Sequence, residues 1–137
     1  MNIRLILMLS LLGLVVGILS VVGVIRAGVE SVVWLAIALI YGAVLARRAP
    51  GKFFLHGFLT GLIAGALAPL VQAAFLGQYL SHNPKAADTL KALPANLPAA
   101  VLIILAAPFT GAMLGLVTGL ITWLWALMTR PKPAPAA

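Results

Sequence analysis

The feature that most constrains this chain is a set of four long apolar runs, about 5–25, 29–46, 53–80 and 97–128, in which Glu30 is the only Asp, Glu, Lys or Arg. A hydrocarbon core about 30 Å thick is crossed by roughly 20 apolar residues in a helix, which satisfies every backbone N–H and C=O within the segment. A chain of 137 residues, 64% hydrophobic and 8% charged, accommodates four such crossings with short connections. The predicted fold is therefore all-α: an integral membrane four-helix bundle forming one domain over 1–130, with a disordered Pro/Ala tail over 131–137. The first run is longer than the apolar core of a secretory signal, usually 7–15 residues, and Ile25-Arg26-Ala27 is a poor cleavage site, so an uncleaved first span is expected.

The formal charge of +7 comes from nine Lys and Arg that stand at the edges of the apolar runs. Spread in that way they form no basic face for nucleic acid and report topology instead. Arg4, Arg47, Arg48, Lys52, Arg130 and Lys132 fall at the N-terminus, in the second loop and in the tail; Arg26, Lys85 and Lys91 fall in the other two loops. Six against three predicts that both termini face the cytoplasm. In that orientation Trp34 and Tyr79 lie near the outer interface and Trp123 and Trp125 near the inner one. The loop 81–96 lies outside, where Asn83-Pro84 has the form of a helix start, with Asn as cap and Pro at the first helical position, and Pro94 forms a stop. A short surface helix over 84–93 is expected there.

Glycine recurs at four-residue spacing: Gly13 and Gly17 in the first span, Gly57, Gly61 and Gly65 in the third, Gly111, Gly115 and Gly119 in the fourth. At 100° per residue each set forms one stripe, joined by Ser10 and Ser20, by Gln72 and Tyr79, and by Thr118 and Thr122 respectively. Ser31, Ala38 and Gly42 serve the second span. Small residues let helices approach closely in lipid, where close van der Waals contact and interhelical hydrogen bonds must drive association. These stripes are the predicted helix-packing faces. They suit the interior of one bundle and also assembly with a second copy or another membrane protein.

Pro69 and Pro108 interrupt the third and fourth spans, free the carbonyls of Gly65 and Ile104, and lie ~24 Å and ~31 Å from the cytoplasmic ends. With Gln72, Thr118 and Thr122 they make up a candidate polar and kinked site for a solute. Glu30, four residues from Arg26, is expected to form a surface pair or to stand solvated at the start of the second span. No Asp, Glu, Lys or Arg occupies the middle of a span, which argues against proton pumping. His56 and His82, at opposite ends of the third span, have no carboxylate cluster beside them, and there is no Cys. No metal site, cofactor loop, nucleophile or acid–base pair is expected, and hence no enzyme.

The second run ending in Arg47-Arg48, the FFLHGFLTGLIAG stretch from Phe53 to Gly65, the aromatics Phe75 and Tyr79, and Asn83-Pro84 before a glycine-rich last span together resemble a bacterial four-span membrane family. That family is catalogued only as domain of unknown function forty-one ninety-nine. The resemblance covers about two-thirds of the chain. It implies a multi-pass protein of a bacterial cytoplasmic (inner) membrane and carries no activity. The function expected from these features is a role through helix–helix contacts, as an oligomer or accessory subunit; the alternative is a small-solute transporter or channel. The topology has a direct test: a Cys introduced at Arg47 should resist a membrane-impermeant thiol reagent added to intact cells, and labelling from outside would reverse the orientation.

Overall fold

The structure, a computed structural model, describes residues 1–26, 28–93 and 96–130. The expected stop at Pro94 and the tail 131–137 lie outside those residues. Among the described residues all regular secondary structure is helical: α1 (Ile3–Ser10), α2 (Leu12–Val21), α3 (Glu30–Arg48), α4 (Phe53–Ala74), α5 (Leu76–His82), α6 (Pro84–Ala92) and α7 (Ala99–Thr129). Four stretches are long and apolar enough to cross a membrane: Ile3–Val21, which contains α1 and α2, Glu30–Arg48, Phe53–Ala74 and Ala99–Thr129. At 1.5 Å per residue even the shorter ones reach about 28 Å, close to the thickness they must cross.

Local chemistry sets the ends of these helices. The Asn2 side chain accepts the Leu5 N–H at 3.1 Å and caps α1. The first span stops at Val21, four residues short of the apolar run. Gly23 takes φ +81° there, and the N–H groups of Val24 and Gly23 turn back to the carbonyls of Leu19 and Ser20, the pairing of a glycine-terminated helix. Ala49 is extended because Pro50 follows it, and that ends α3. The third span also differs from the uninterrupted run over 53–80: α4 ends at Ala74, Phe75 leaves the helical region with φ −116° and ψ 41°, and α5 starts afresh.

The tightest interface is between α4 and α7. A Cβ placed on Gly61 would stand 2.7 Å from the Leu114 carbonyl and 2.8 Å from Gly115 Cα; one on Gly115 would stand 2.7 Å from the Phe58 carbonyl. The same holds at both ends of the crossing, where Gly57 meets the Thr118 carbonyl and Gly119 Cα, and Gly65 meets Gly111 Cα. The first span packs along the other side of α4, with Gly13 against the Ala64 backbone and Gly17 against Ala68 and Val71. α3 closes the bundle. Its Gly42 receives the Ile121 side chain of α7, and its Tyr41 hydroxyl donates to the Leu9 carbonyl at 2.8 Å. Tyr41, Leu45 and Ala64 are fully buried at the centre.

Arg130 ties the ends of three spans together. Its Nε donates to the Ala46 carbonyl at 2.9 Å and a terminal nitrogen donates to the Ala49 carbonyl at 2.7 Å. Its guanidinium also lies 4.5 Å from the centre of the Phe53 ring. These carbonyls are among those a helix C-terminus leaves without an internal donor, and a cation suits that end of the dipole.

The glycine contacts predict unequal responses to one methyl group. Gly115→Ala should cost about 1–3 kcal/mol, as overpacking does. Gly77→Ala, where no atom lies within 4 Å of the new Cβ, should be neutral or gain up to about 1 kcal/mol of helix propensity. Unfolding in mild detergent measures both.

Candidate functional site

Polar side chains inside the bundle gather at its two ends. At the end shared by the N-terminus and the start of α4, His56 is fully buried. Its Nδ1 donates to the Lys52 carbonyl at 3.1 Å and its Nε2 accepts the Asn2 N–H at 2.9 Å. A backbone N–H on one ring nitrogen and a carbonyl on the other are satisfied together by the neutral imidazole protonated at Nδ1. Thr60 donates to the His56 carbonyl and Ser10 to the carbonyls of Ile6 and Thr60, which carries the polar contacts inward along α4. Every contact here has its complement within the chain, so this end holds the first span to the third.

The opposite end differs. Gln72, buried on α4, points its carboxamide between α2 and α3: Nε2 donates to Ser20 Oγ and to Glu30 Oε1, each at 3.3 Å. One side chain thus joins three spans. Beside it, His82 Nδ1 donates to the carbonyls of Val21 and Gln78, and Asn83 Nδ2 donates to the carbonyls of Ser20 and Tyr79. Asn83 therefore does not act as the expected side-chain cap of α6; its amide reaches back to the end of α2, while Pro84 does take the first helical position. Tyr79, in α5 beyond the third span, has its phenol raised above the ordinary range by burial and then by the Glu30 charge.

Glu30 faces inward and does not form the expected surface pair with Arg26. It is half-buried, accepts from Gln72, and among the described residues has no ion-pair partner. It lines a cavity of about 210 Å³ between α3, α4 and α7, with Trp34, Pro69, Gln72, Ala106 and Thr110 among the other walls. Gly65, whose carbonyl has lost its helical donor to Pro69, lines it as well. Trp34, Gly65 and Thr110 also border a second, apolar hollow of about 420 Å³, which continues between α3 and α7 past Leu35, Met113 and Val117.

The residues grouped from sequence as a polar and kinked site separate in space. Pro69 and Gln72 share the cavity. Pro108 is exposed on the outside of α7. Thr118 and Thr122 are buried at the glycine crossing, where Thr122 donates to the Thr118 carbonyl at 2.7 Å and Thr118 Oγ1 has no partner among the described residues. The packing glycines Gly13, Gly17, Gly57, Gly61, Gly65, Gly111, Gly115 and Gly119 are all buried against other helices of the same chain. Glu30 and Ser20 are the members that sequence reasoning left out. Glu30 did carry a signal: it is one of two acidic residues in the chain and stands one helical turn before Trp34, on the same face.

The chain matches no family model, no curated protein and no solved structure at significant similarity. The geometry alone therefore carries the functional argument.

Two substitutions separate the polar groups that hold the bundle from the one that does not. Gln72→Leu removes both interhelical hydrogen bonds and should cost about 0.6–1.7 kcal/mol, the range for such bonds in membrane proteins. Thr118→Val keeps the shape and deletes an unpartnered hydroxyl, and should be neutral or stabilising. Thermal unfolding in detergent compares them.

Proposed function

We propose that this is a multi-pass protein of a bacterial cytoplasmic membrane, with both termini in the cytoplasm, that binds a small solute at the Glu30–Gln72 cavity as part of its transport. The observation that carries this reading is a carboxylate without an ion-pair partner among the described residues, presented to a cavity between three spans. Glu30 is the first residue of α3 and borders the cavity there, and a few polar groups converging on a largely apolar pocket commonly mark a ligand site. The residues around it divide the work: Gln72 holds the carboxylate, Pro69 leaves the Gly65 carbonyl without its helical donor beside it, and Trp34 supplies an aromatic wall.

Assembly through helix–helix contacts draws less support, because each predicted small-residue stripe already meets a helix of its own chain. The excess of Lys and Arg on one set of connections supports the orientation. The resemblance of the stretch from Trp34 to Arg130 to a bacterial four-span family supports the membrane assigned.

Proteoliposomes test the reading. Flux of methylammonium, choline, glycerol and acetate should include at least one solute whose movement exceeds that of empty vesicles and falls several-fold in Gln72→Leu. Rates equal to those of empty vesicles for all four would overturn a transport role.

A further inference from the structure

Glu30 is the one half-buried acid in a chain whose other charges are almost all positive and peripheral. Gln72 occupies Oε1, and among the described residues no cation neutralises the group. The amide cannot sensibly be turned round, since its oxygen would then face a carboxylate that can only accept. Gln72 thus presents N–H groups to the site and its oxygen elsewhere. A hard metal ion, which needs several oxygen ligands, is poorly served by that arrangement. An organic ammonium is well served: it needs one counter-charge and an aromatic face, and Trp34, one turn along α3 from Glu30, lines the cavity.

The apolar hollow adds a second constraint. It shares Trp34, Gly65 and Thr110 with the cavity, so the two adjoin at those residues. From Thr110 to Val117 it follows α7 toward the Arg130 end for about 10 Å, and its wall is almost wholly apolar. Gln72 lies nineteen residues along α4 from Phe53, about 29 Å, which sets the carboxylate near the interface and the hollow below it. A charged head at the interface and an apolar chain beneath it is the geometry of an amphiphile.

We propose that the cavity's occupant is a single-chain organic cation, its ammonium head beside Glu30 and Gln72 and its alkyl chain in the hollow between α3 and α7. This rests on the solute-binding reading above and names its substrate class. Gln72 orients the carboxylate, Glu30 supplies charge selectivity, and Trp34 and Thr110 border both compartments. An anionic amphiphile would meet the carboxylate as a like charge, and a neutral one would leave it without a counter-ion.

The full chain in lipid nanodiscs tests this, with Trp123→Phe and Trp125→Phe making Trp34 the only indole. Decyltrimethylammonium should change Trp34 fluorescence saturably. Glu30→Gln should weaken its binding about tenfold or more, and Glu30→Asp should recover part of the loss. Thermal unfolding checks that each variant remains folded. Equal binding of decanol, or unchanged affinity in folded Glu30→Gln, would overturn the cationic class. So would a native phospholipid that co-purifies with the wild-type protein and is lost from Glu30→Gln, since lipid would then be the occupant. Saturable binding of decyl sulfate that depends on Gln72 would overturn the substrate class and leave solute binding standing. Silence of Trp34 toward all three probes in folded protein would remove both.

Discussion

The rest of the structure depends on the contact between α4 and α7, where backbone meets backbone because glycines remove the side chains that would hold the helices apart. In lipid, burying more apolar surface gives no reason for two helices to associate, since the tails around them are equally apolar. Close contact along Gly57, Gly61 and Gly65 against Gly111, Gly115 and Gly119 supplies that reason. It also fixes α4 as the element against which the first span packs from the other side, through Gly13 on Ala64 and Gly17 on Ala68.

The cavity begins where that contact stops. Gly65 and Gly111 form the last glycine pair, and Gly65 is also a wall of the cavity. Beyond it α4 continues with Ala68, Pro69 and Gln72, and α7 with Thr110, Ala106 and Ile103, which replace a seam of glycines with larger groups. No glycine pair joins the two helices there, and Glu30 at the start of α3 borders the cavity between them. Close packing in one half of the bundle and a polar opening in the other are therefore two consequences of one glycine series ending. At the opposite end His56 joins the start of α4 to the N-terminus through both ring nitrogens.

Much of the fold was legible residue by residue. Hydropathy and length showed four crossings, and the wheel placed Gly13, Gly17 and Ser20, or Gly57, Gly61, Gly65 and Gln72, on common faces because helical periodicity is local geometry. The breaks were harder to see. Val21 and Ala74 end their helices inside apolar runs, where hydropathy has no reason to change; the turn depends on Gly23 at a positive φ in one case and on Phe75 in the other. The candidate site was half visible. Pro69 and Gln72, one turn apart in sequence, line one cavity, while Pro108, Thr118 and Thr122, grouped with them by residue type, lie elsewhere.

By itself, the sequence determined that this chain is an all-helical membrane protein with four crossings and that each crossing has a narrow face of small residues, because both follow from properties of single segments: apolar length and a 3.6-residue period. Only the tertiary structure decided which face meets which, that the Asn83 side chain bonds to the end of α2 and does not cap α6, and that Glu30 turns toward Gln72 and not toward Arg26. Glu30 and Gln72 are 42 residues apart in sequence. Their pairing is set by how three helices cross, and no local preference of either residue encodes it.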